Sequence, residues 1–336
     1  TALVLMVVIS LIVLGFAQIS RRNQRETLDR QLSTQAFYAA ETGVNDARER
    51  INAAVASGLK VEAKNECDGT GVAGFYTGLN PDIDPALGVK YSCLLVDPEP
   101  KTLQYSNIGV TTTVVPVISA DSSPLGTIDL KWQSKSGSAT PLSGCPGSTN
   151  NVFSPAASWT CGYGILRIDF VPTSGGLTTD SLTLNTMTIF AVPVSSGSTV
   201  NNVAYPANIN TSNSNVRIGA SCTNAGCELQ ISGLSQNSYH MRVSSIYKDA
   251  SLQVSAGGAS GSQKLTGAQA VIDSTGRAQD VLRRIQVNIP LRNTSKNELS
   301  DYAIEMNGSM CKRYSVASGY ISNSVPGAPV AGGGRL

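Results

Sequence analysis

Histidine is nearly missing from this chain of 336 residues, which has one, His240. Within one chain that excludes a multi-histidine metal site and leaves histidine acid–base chemistry a single carrier. Aromatic residues are scarce at 6%, which argues against the stacking platforms that hold sugars or unpaired bases. Charged residues make up 14%, against roughly 25% in average globular usage. The 25 basic and 23 acidic residues leave a formal net charge of +2, without the basic excess that marks nucleic-acid binding. No GxSxG, Walker or dinucleotide-binding pattern occurs in a strand–turn–helix setting. These shortages point away from an enzyme, from nucleic acid and from any cofactor. Proline is also missing, but locally: none of the 15 prolines precedes Pro81.

What is present begins with an apolar run. From Ala2 to Ile19 there is no charged side chain, close to the roughly 20 residues that cross a bilayer. Helical patterning continues past the end of the run. Arg21, Arg22, Arg25, Glu26, Asp29 and Arg30 turn the chain polar, while Leu28, Leu32, Ala36, Ala39, Ala40, Val44, Ala47, Ile51 and Val55 recur at steps of three and four. Since an interior proline costs about 3 kcal/mol, its absence fits one uninterrupted helix over residues 1–56, stopped at Ser57-Gly58. Gly15 and Gly43 read as its weak points. The chain opens at Thr1 and keeps its apolar segment, which predicts processing before that segment rather than after it. Arg21 and Arg22 flank the end of the span that should be extracytoplasmic, contrary to the positive-inside tendency, which counts against a processed, membrane-inserted helix unless a basic leader removed on maturation outweighs them.

The apolar start, its polar continuation and the segment Gln35-Ala-Phe-Tyr-Ala-Ala-Glu-Thr-Gly-Val-Asn-Asp-Ala47 resemble the amino-terminal helix of type IV pilin-like proteins. The nearest group is the PilX-type minor pilins and the K-type pseudopilins of type II secretion. The resemblance covers the first 56 residues, about a sixth of the chain. It implies a prepilin peptidase that cuts before Thr1, with methylation of the new amino terminus. It also implies residence in the cytoplasmic membrane, contact with an inner-membrane assembly platform, and extraction into an extracellular filament of other copies or other pilins. Leu3, Leu5, Val8, Ile9, Ile12, Val13 and Phe16 would then lie first in lipid and later in the filament core. Major pilins of this family carry a glutamate at the fifth mature position, where this chain has Leu5. That departure is typical of subunits at the filament tip, and the family's proline near the end of the apolar segment is missing too. The rival reading of the same pattern is a single-span anchor holding a surface adhesin that never polymerises.

From about residue 90 the pattern changes to short runs rich in Val, Ile, Thr and Tyr, separated by Gly, Pro, Asn and Ser. Strands are predicted at 91–96, 102–108, 110–118, 127–133, 164–171, 181–194, 216–221, 228–234, 239–247, 252–256, 268–273 and 281–290. The fold class is therefore α+β: a long amino-terminal helix, then a large, mainly antiparallel β region of sandwich-like character. Its expected organisation is a helix at 1–56, a connecting segment at 57–90, β subdomains at 91–194 and 195–324, and a flexible tail at 325–336. Residues 134–151 and 195–215 read as surface loops.

Seven cysteines fit an exported chain. Neighbour pairing gives Cys67–Cys93, Cys145–Cys161 and Cys222–Cys227, the last stapling a hairpin, and leaves Cys311 over. Zinc is disfavoured because no two short CxxC pairs occur. Asn80-Pro-Asp-Ile-Asp-Pro85 spaces oxygens as calcium loops do, but Pro85 and Tyr91 stand where an EF-hand needs Gly and Glu, so a turn is the better reading. His240 reads as a packed strand residue. Ser274-Thr-Gly276 is expected to turn the chain, with Arg277, Arg283 and Arg284 projecting from strand edges. Asn210, Asn293 and Asn307 occupy N-x-S/T sequons.

Overall fold

The computed structural model describes residues 2–67, 75–76, 78–135, 142, 144–146, 155–173, 185–194, 202–205, 215–259, 261–291, 314–317 and 320–323, with backbone only at 2–11, 215–216 and the last two stretches. The proline-free start forms one helix, α1 (Ala2–Ala56), about 80 Å long at 1.5 Å per residue. It ends where expected. Gly58 takes φ +68°, and the amides of Gly58 and Leu59 return to the carbonyls of Val55 and Ala54 at 3.1 and 2.9 Å.

Among the described residues eighteen strands follow: β1 (Asp82–Asp84), β2 (Val89–Asp97), β3 (Thr102–Ile108), β4 (Thr113–Ser119), β5 (Thr127–Ser134), β6 (Ile165–Pro172), β7 (Met187–Val194), β8 (Asn202–Ala204), β9 (Asn215–Thr223), β10 (Gly226–Ser232), β11 (Ser238–Ile246), β12 (Ala250–Gly258), β13 (Gly261–Gln263), β14 (Leu265–Thr266), β15 (Gln269–Ala278), β16 (Val281–Pro290), β17 (Tyr314–Ala317) and β18 (Tyr320–Asn323). The chain is α+β, a long helix followed by a mostly antiparallel β region.

The helix is seated on an antiparallel sheet of order β1-β2-β15-β16. Period-two alternation puts Ala270, Ile272, Ser274 and Ala278 of β15 on the buried face. β2 changes parity to stay on that face: Tyr91 pairs with Gly276 and Cys93 with Thr275, so Ser92 is an extra residue, and its hydroxyl donates to the Thr275 carbonyl at 3.2 Å. The buried residues on either side of this bulge are Val89 and Tyr91, then Leu94 and Val96. Against them lie Ala36, Ala39, Ala40, Val44, Ala47, Ile51 and Ala54 of α1.

Two glycines set the distance between helix and sheet. A Cβ on Gly276 would stand 1.9 Å from the Ala36 carbonyl oxygen and 2.3 Å from the Ala40 nitrogen. A Cβ on Gly43 would stand 2.4 Å from Ser274 Oγ. This corrects the expected turn at 274–276. β15 runs straight through those residues, Gly276 serves close approach rather than chain reversal, and the hairpin turns at Gln279-Asp280, with Gln279 at φ +54°. Gly43, expected to be a weak point, is a contact. The expected helical stripe is cut short at its lower end, since Leu28 is exposed below the sheet and only half-buried Leu32 begins to pack.

The second sheet has twelve strands along the order β13-β12-β5-β10-β9-β7-β6-β11-β4-β14, with β3 added on β12 and β8 on β10. Two pairings are parallel, β7 with β9 and β10 with β8. Although β3 and β4 are separated by only residues 109–112, they pair at opposite ends of the order, on β12 and on β11. Residues from both ends therefore share one core: Leu103 and Ile108 with Val115 and Val117, around Trp132, Phe170 and Tyr239. Phe170 stacks on Tyr239 at 4.8 Å. β7 and β9, which lie on either side of residue 195 in the sequence, pair directly in one sheet. Within the predicted 181–194 strand, β7 starts at Met187, and β8 lies inside the stretch expected to be a loop. β17 and β18, in a separate unit of the chain after Asn297, pair with each other antiparallel. The predicted tail, 325–336, lies outside the described residues.

Candidate assembly surface on the amino-terminal helix

Small residues decide where α1 is held. Ala and Gly add little by themselves, but they allow the helix backbone to come within contact of β15, and specific polar contacts fix its orientation there. The Tyr91 hydroxyl donates to Asp46 Oδ2 at 3.0 Å, and burial together with that carboxylate raises the phenol above its ordinary range. Arg283 Nε donates to Ser33 Oγ at 2.8 Å, joining β16 to the helix one turn below Ala36. At the other end, Lys60 and Glu99 pair at 2.9 Å across a cleft of about 270 Å³ lined by Val55, Leu59, Pro98 and Leu291.

Below this seat nothing in the described chain covers the helix. Every residue from Ile12 to Gln31 is exposed. These include Ile12, Val13, Leu14, Phe16, Ile19 and Leu28, whose exposure runs from 52% at Ile12 to 69% at Phe16. Isolated exposed apolar side chains are ordinary, but six along one helix segment form a patch that calls for a partner. Of the residues expected in a membrane or filament core, Ile12, Val13 and Phe16 belong to this patch. The side chains of Leu3, Leu5, Val8 and Ile9, and all of Thr1, lie outside the described residues. Among the described residues no helix is long and apolar enough to cross a membrane.

The three cysteine pairs given by neighbour pairing are bonded, Cys67–Cys93, Cys145–Cys161 and Cys222–Cys227. Cys222 and Cys227 face each other directly in the β9–β10 ladder. Cys67–Cys93 ties the segment after α1 to β2, close beside the Ser92 bulge. Cys311 lies outside the described residues, as do Asn210, Asn293 and Asn307.

The remaining sites dissolve into structural roles. His240 is buried in β11 between β4 and β6, its Nδ1 3.3 Å from Thr173 Oγ1, and burial lowers its pKa. The turn expected at 80–85 lies later: Asp82–Asp84 is strand β1, and Asp84 Oδ1 accepts the amides of Ala86 and Leu87, both at 3.1 Å, capping the turn at 85–88 that leads into β2. Arg284 grips Asp273 on the neighbouring strand through two nitrogens, Arg283 reaches the helix, and Arg277 donates to the Gln279 carbonyl at 2.5 Å. Among the described residues no three His, Cys, Asp or Glu side chains are grouped to hold a metal. Sequence reasoning missed the seat itself: it makes Gly276 a turn residue and Asp46 only part of the Gln35–Ala47 segment, and the contacts of Ser33 and Tyr91 appear only when distant segments meet. No protein-family model, curated protein or solved structure matches this chain.

Proposed function

We propose that the chain is a structural subunit of a type IV pilus or pseudopilus filament, working by assembly rather than catalysis. The observation that carries this reading is the division of α1 into a seated upper half and a bare lower half rich in large apolar side chains. Burying a Val, Leu, Ile or Phe fully is worth about 1.5–3 kcal/mol. Covering six that are a little over half exposed would therefore gain on the order of 6–10 kcal/mol per subunit. Helices of neighbouring subunits, from other copies or other pilins, are the cover proposed. On the family resemblance, Leu3, Leu5, Val8 and Ile9 would belong to the same membrane or filament core, behind a processed and methylated Thr1. Before assembly this segment rests in the cytoplasmic membrane, within reach of the prepilin peptidase and the assembly platform. Transfer from lipid to a helix bundle exchanges one apolar environment for another, which costs far less than passage through water. The β region, read as a sandwich-like body, clothes the filament and offers its loops to surfaces or partners, and its disulfides suit that extracellular location.

The test is electron microscopy and mass spectrometry of filaments sheared from cells carrying the wild-type chain or Val13→Asp. The reading expects this chain in the filaments and its loss from them in the variant. Filaments that neither contain the chain nor change on its deletion would overturn it, and would leave the membrane-anchored adhesin in its place.

A further inference from the structure

We infer that the outer edge of β16 accepts an extended segment of a partner protein as a further strand of the helix-bearing sheet, whether or not the chain assembles into filaments. The segment that fits is apolar at alternate positions and acidic opposite Arg283.

The two edges of this sheet are built differently. At one edge β1 has three residues, two of them aspartates, and its register on β2 shifts between Asp82 and Asp84. Shortness, charge and irregular pairing are what keep a sheet edge from pairing with other chains. At the other edge β16 is long and regular. It pairs with β15 without a shift from Val281 to Pro290 and meets proline only at its last position. Its two arginines would be the guards, but both are turned inward. Arg284 grips Asp273 on β15, and Arg283 reaches over the sheet to Ser33 at 2.8 Å.

The register shows which backbone groups are open. The Leu291 amide donates to the Ala268 carbonyl at 2.9 Å, which fixes the parity of the ladder. Odd-numbered residues of β16 turn their amides and carbonyls to β15, whereas Leu282, Arg284, Gln286 and Asn288 turn theirs outward. Among the described residues no strand pairs with these four from outside, and Leu282, Arg284 and Gln286 are exposed. Donors and acceptors repeated at every second residue are met by another extended chain.

The side chains beside the edge give that chain its chemistry. Odd residues of β16 share the face that carries α1, and Ile285 and Val287 are only half-buried there. Ser33 meets Arg283 and Asp46 meets Tyr91, so one flank of α1 looks toward β16 and the other toward β2. At 3.6 residues per turn Phe37 and Arg48 lie on the β16 flank. Phe37 is 48% exposed, and Arg48 is exposed as well. An added strand would cover Ile285, Val287 and Phe37 with alternate apolar side chains. Charge on this flank is unbalanced: Arg283 and Arg48 stand with one carboxylate, Glu41, and among the described residues Arg283 meets a neutral hydroxyl. An acidic side chain opposite Arg283 supplies what is missing.

A second copy of β16 fits this edge poorly. α1 runs beside β16 in the same direction, from Ser33 at Arg283 to Val55 at Leu291. Two such edges joined about a two-fold axis would point their helices in opposite directions, and would double the unmatched positive charge along the seam.

The test uses the full chain in detergent micelles and a dye-labelled peptide, Val-Thr-Val-Thr-Val-Thr-Glu-Thr. Antiparallel to β16, it sets its valines opposite Ile289, Val287 and Ile285 and its acid opposite Arg283. With millimolar peptide, the amides of Leu282, Arg284, Gln286 and Asn288 should exchange at least about tenfold more slowly, while those of Ile285 and Val287, already bonded to β15, change little. N-methylation of the peptide's threonine amides, which face the edge, should abolish binding. Lysine in place of the peptide's acid should weaken binding at least about tenfold, and Arg283→Glu should recover it. Unchanged exchange at the four outward amides, or equal binding of the methylated peptide, would overturn the inference. Indifference to the charge exchange would overturn the acidic position. Slowing of the same amides with rising chain concentration and no peptide would give the edge to a second copy and overturn the partner.

Discussion

Gly276→Ala is the smallest change that tests how α1 is held. The added carbon would lie 1.9 Å from the Ala36 carbonyl oxygen, 2.3 Å from the Ala40 nitrogen and 3.0 Å from the Ala39 carbonyl carbon. All three are backbone atoms, so no rotamer change relieves the contact. Regaining 3.4 Å, where ordinary contact begins, requires helix and strand to part by about 1.5 Å, the difference between 3.4 and 1.9. A gap of 0.5–1 Å already forfeits about a quarter to a half of a dispersion contact. The small residues at Ala36, Ala39, Ala40 and Ala47 have no length with which to follow the sheet, and Val44 and Ile51 would each lose part of the roughly 1.5–3 kcal/mol their burial supplies. Together this comes to about 3 kcal/mol, the upper end for overpacking. Native-state hydrogen exchange reads it directly. At about 1.4 kcal/mol per tenfold, amides of α1 between residues 40 and 51 should exchange about a hundredfold faster, with those of β5 and β10 unaffected. Gly126→Ala is the control: its nearest atom would be 3.5 Å away and its φ is not in the left-handed region, so no change is expected. If Gly276→Ala exchanged like Gly126→Ala, close backbone approach would not be what seats the helix.

The disulfides should rank by the length of chain they close. With separations of 26 and 5 residues, the chain-entropy relation gives about 3.5 kcal/mol for Cys67–Cys93 and about 2 kcal/mol for Cys222–Cys227, so double Cys→Ser variants should differ by that order in denaturant unfolding, and equal losses would contradict it. His240 is held neutral by burial, its folded pKa lying below the unfolded value near 6.5. The unfolded chain then binds more protons below that pH, so stability should be flat above about pH 6.5 and fall below it, and His240→Gln should flatten that slope in unfolding curves from pH 7 to pH 5. Tyr91→Phe removes the donor to Asp46 and should cost about 1 kcal/mol, seen as about fivefold faster exchange in the seated half of α1 and nowhere in the twelve-stranded sheet.

How much of this could be read from the sequence depended on how local the cause was. The helix was legible because proline exclusion and three-and-four spacing are local, and so was its stop at Gly58. All twelve predicted strands correspond to strands, since alternation such as that around Met241 and Val243 survives any topology. The cysteine pairs followed because each joins a cysteine to the next one along the sequence. Ser274-Thr-Gly276 failed for the opposite reason. Serine and glycine are turn formers when judged by their neighbours, and the helix backbone that makes glycine necessary at 276 lies 236 positions earlier at Ala40. The interleaving of β4, β5, β6 and β7 with later strands was equally hidden, because pairing partners leave no mark on either strand's own pattern. Short β1, β8, β13 and β14 carry too few residues to show alternation at all.

The bare half of α1 was half-legible, and the difference between its two halves explains the rest. Alanine and glycine gain nothing from a loose or fluid neighbour, because their only profit is close approach to a surface already in place. Isoleucine, leucine and phenylalanine pack against whatever conforms to them, other helices included. The upper half of α1, with Ala36, Ala39, Ala40, Gly43 and Ala47, is therefore written for the chain's own sheet. The lower half, with Ile12, Val13, Leu14, Phe16 and Ile19, is written for something outside it. Half-buried Leu32 and Ser33, the latter holding Arg283, mark the change from one to the other. A chain that needed only an anchor could let its helix end with the apolar run. One continuous helix with the sheet fixed at its upper end instead gives the lower half a set direction, so that covering it also orients the β region. That coupling is what the proposed filament subunit would use.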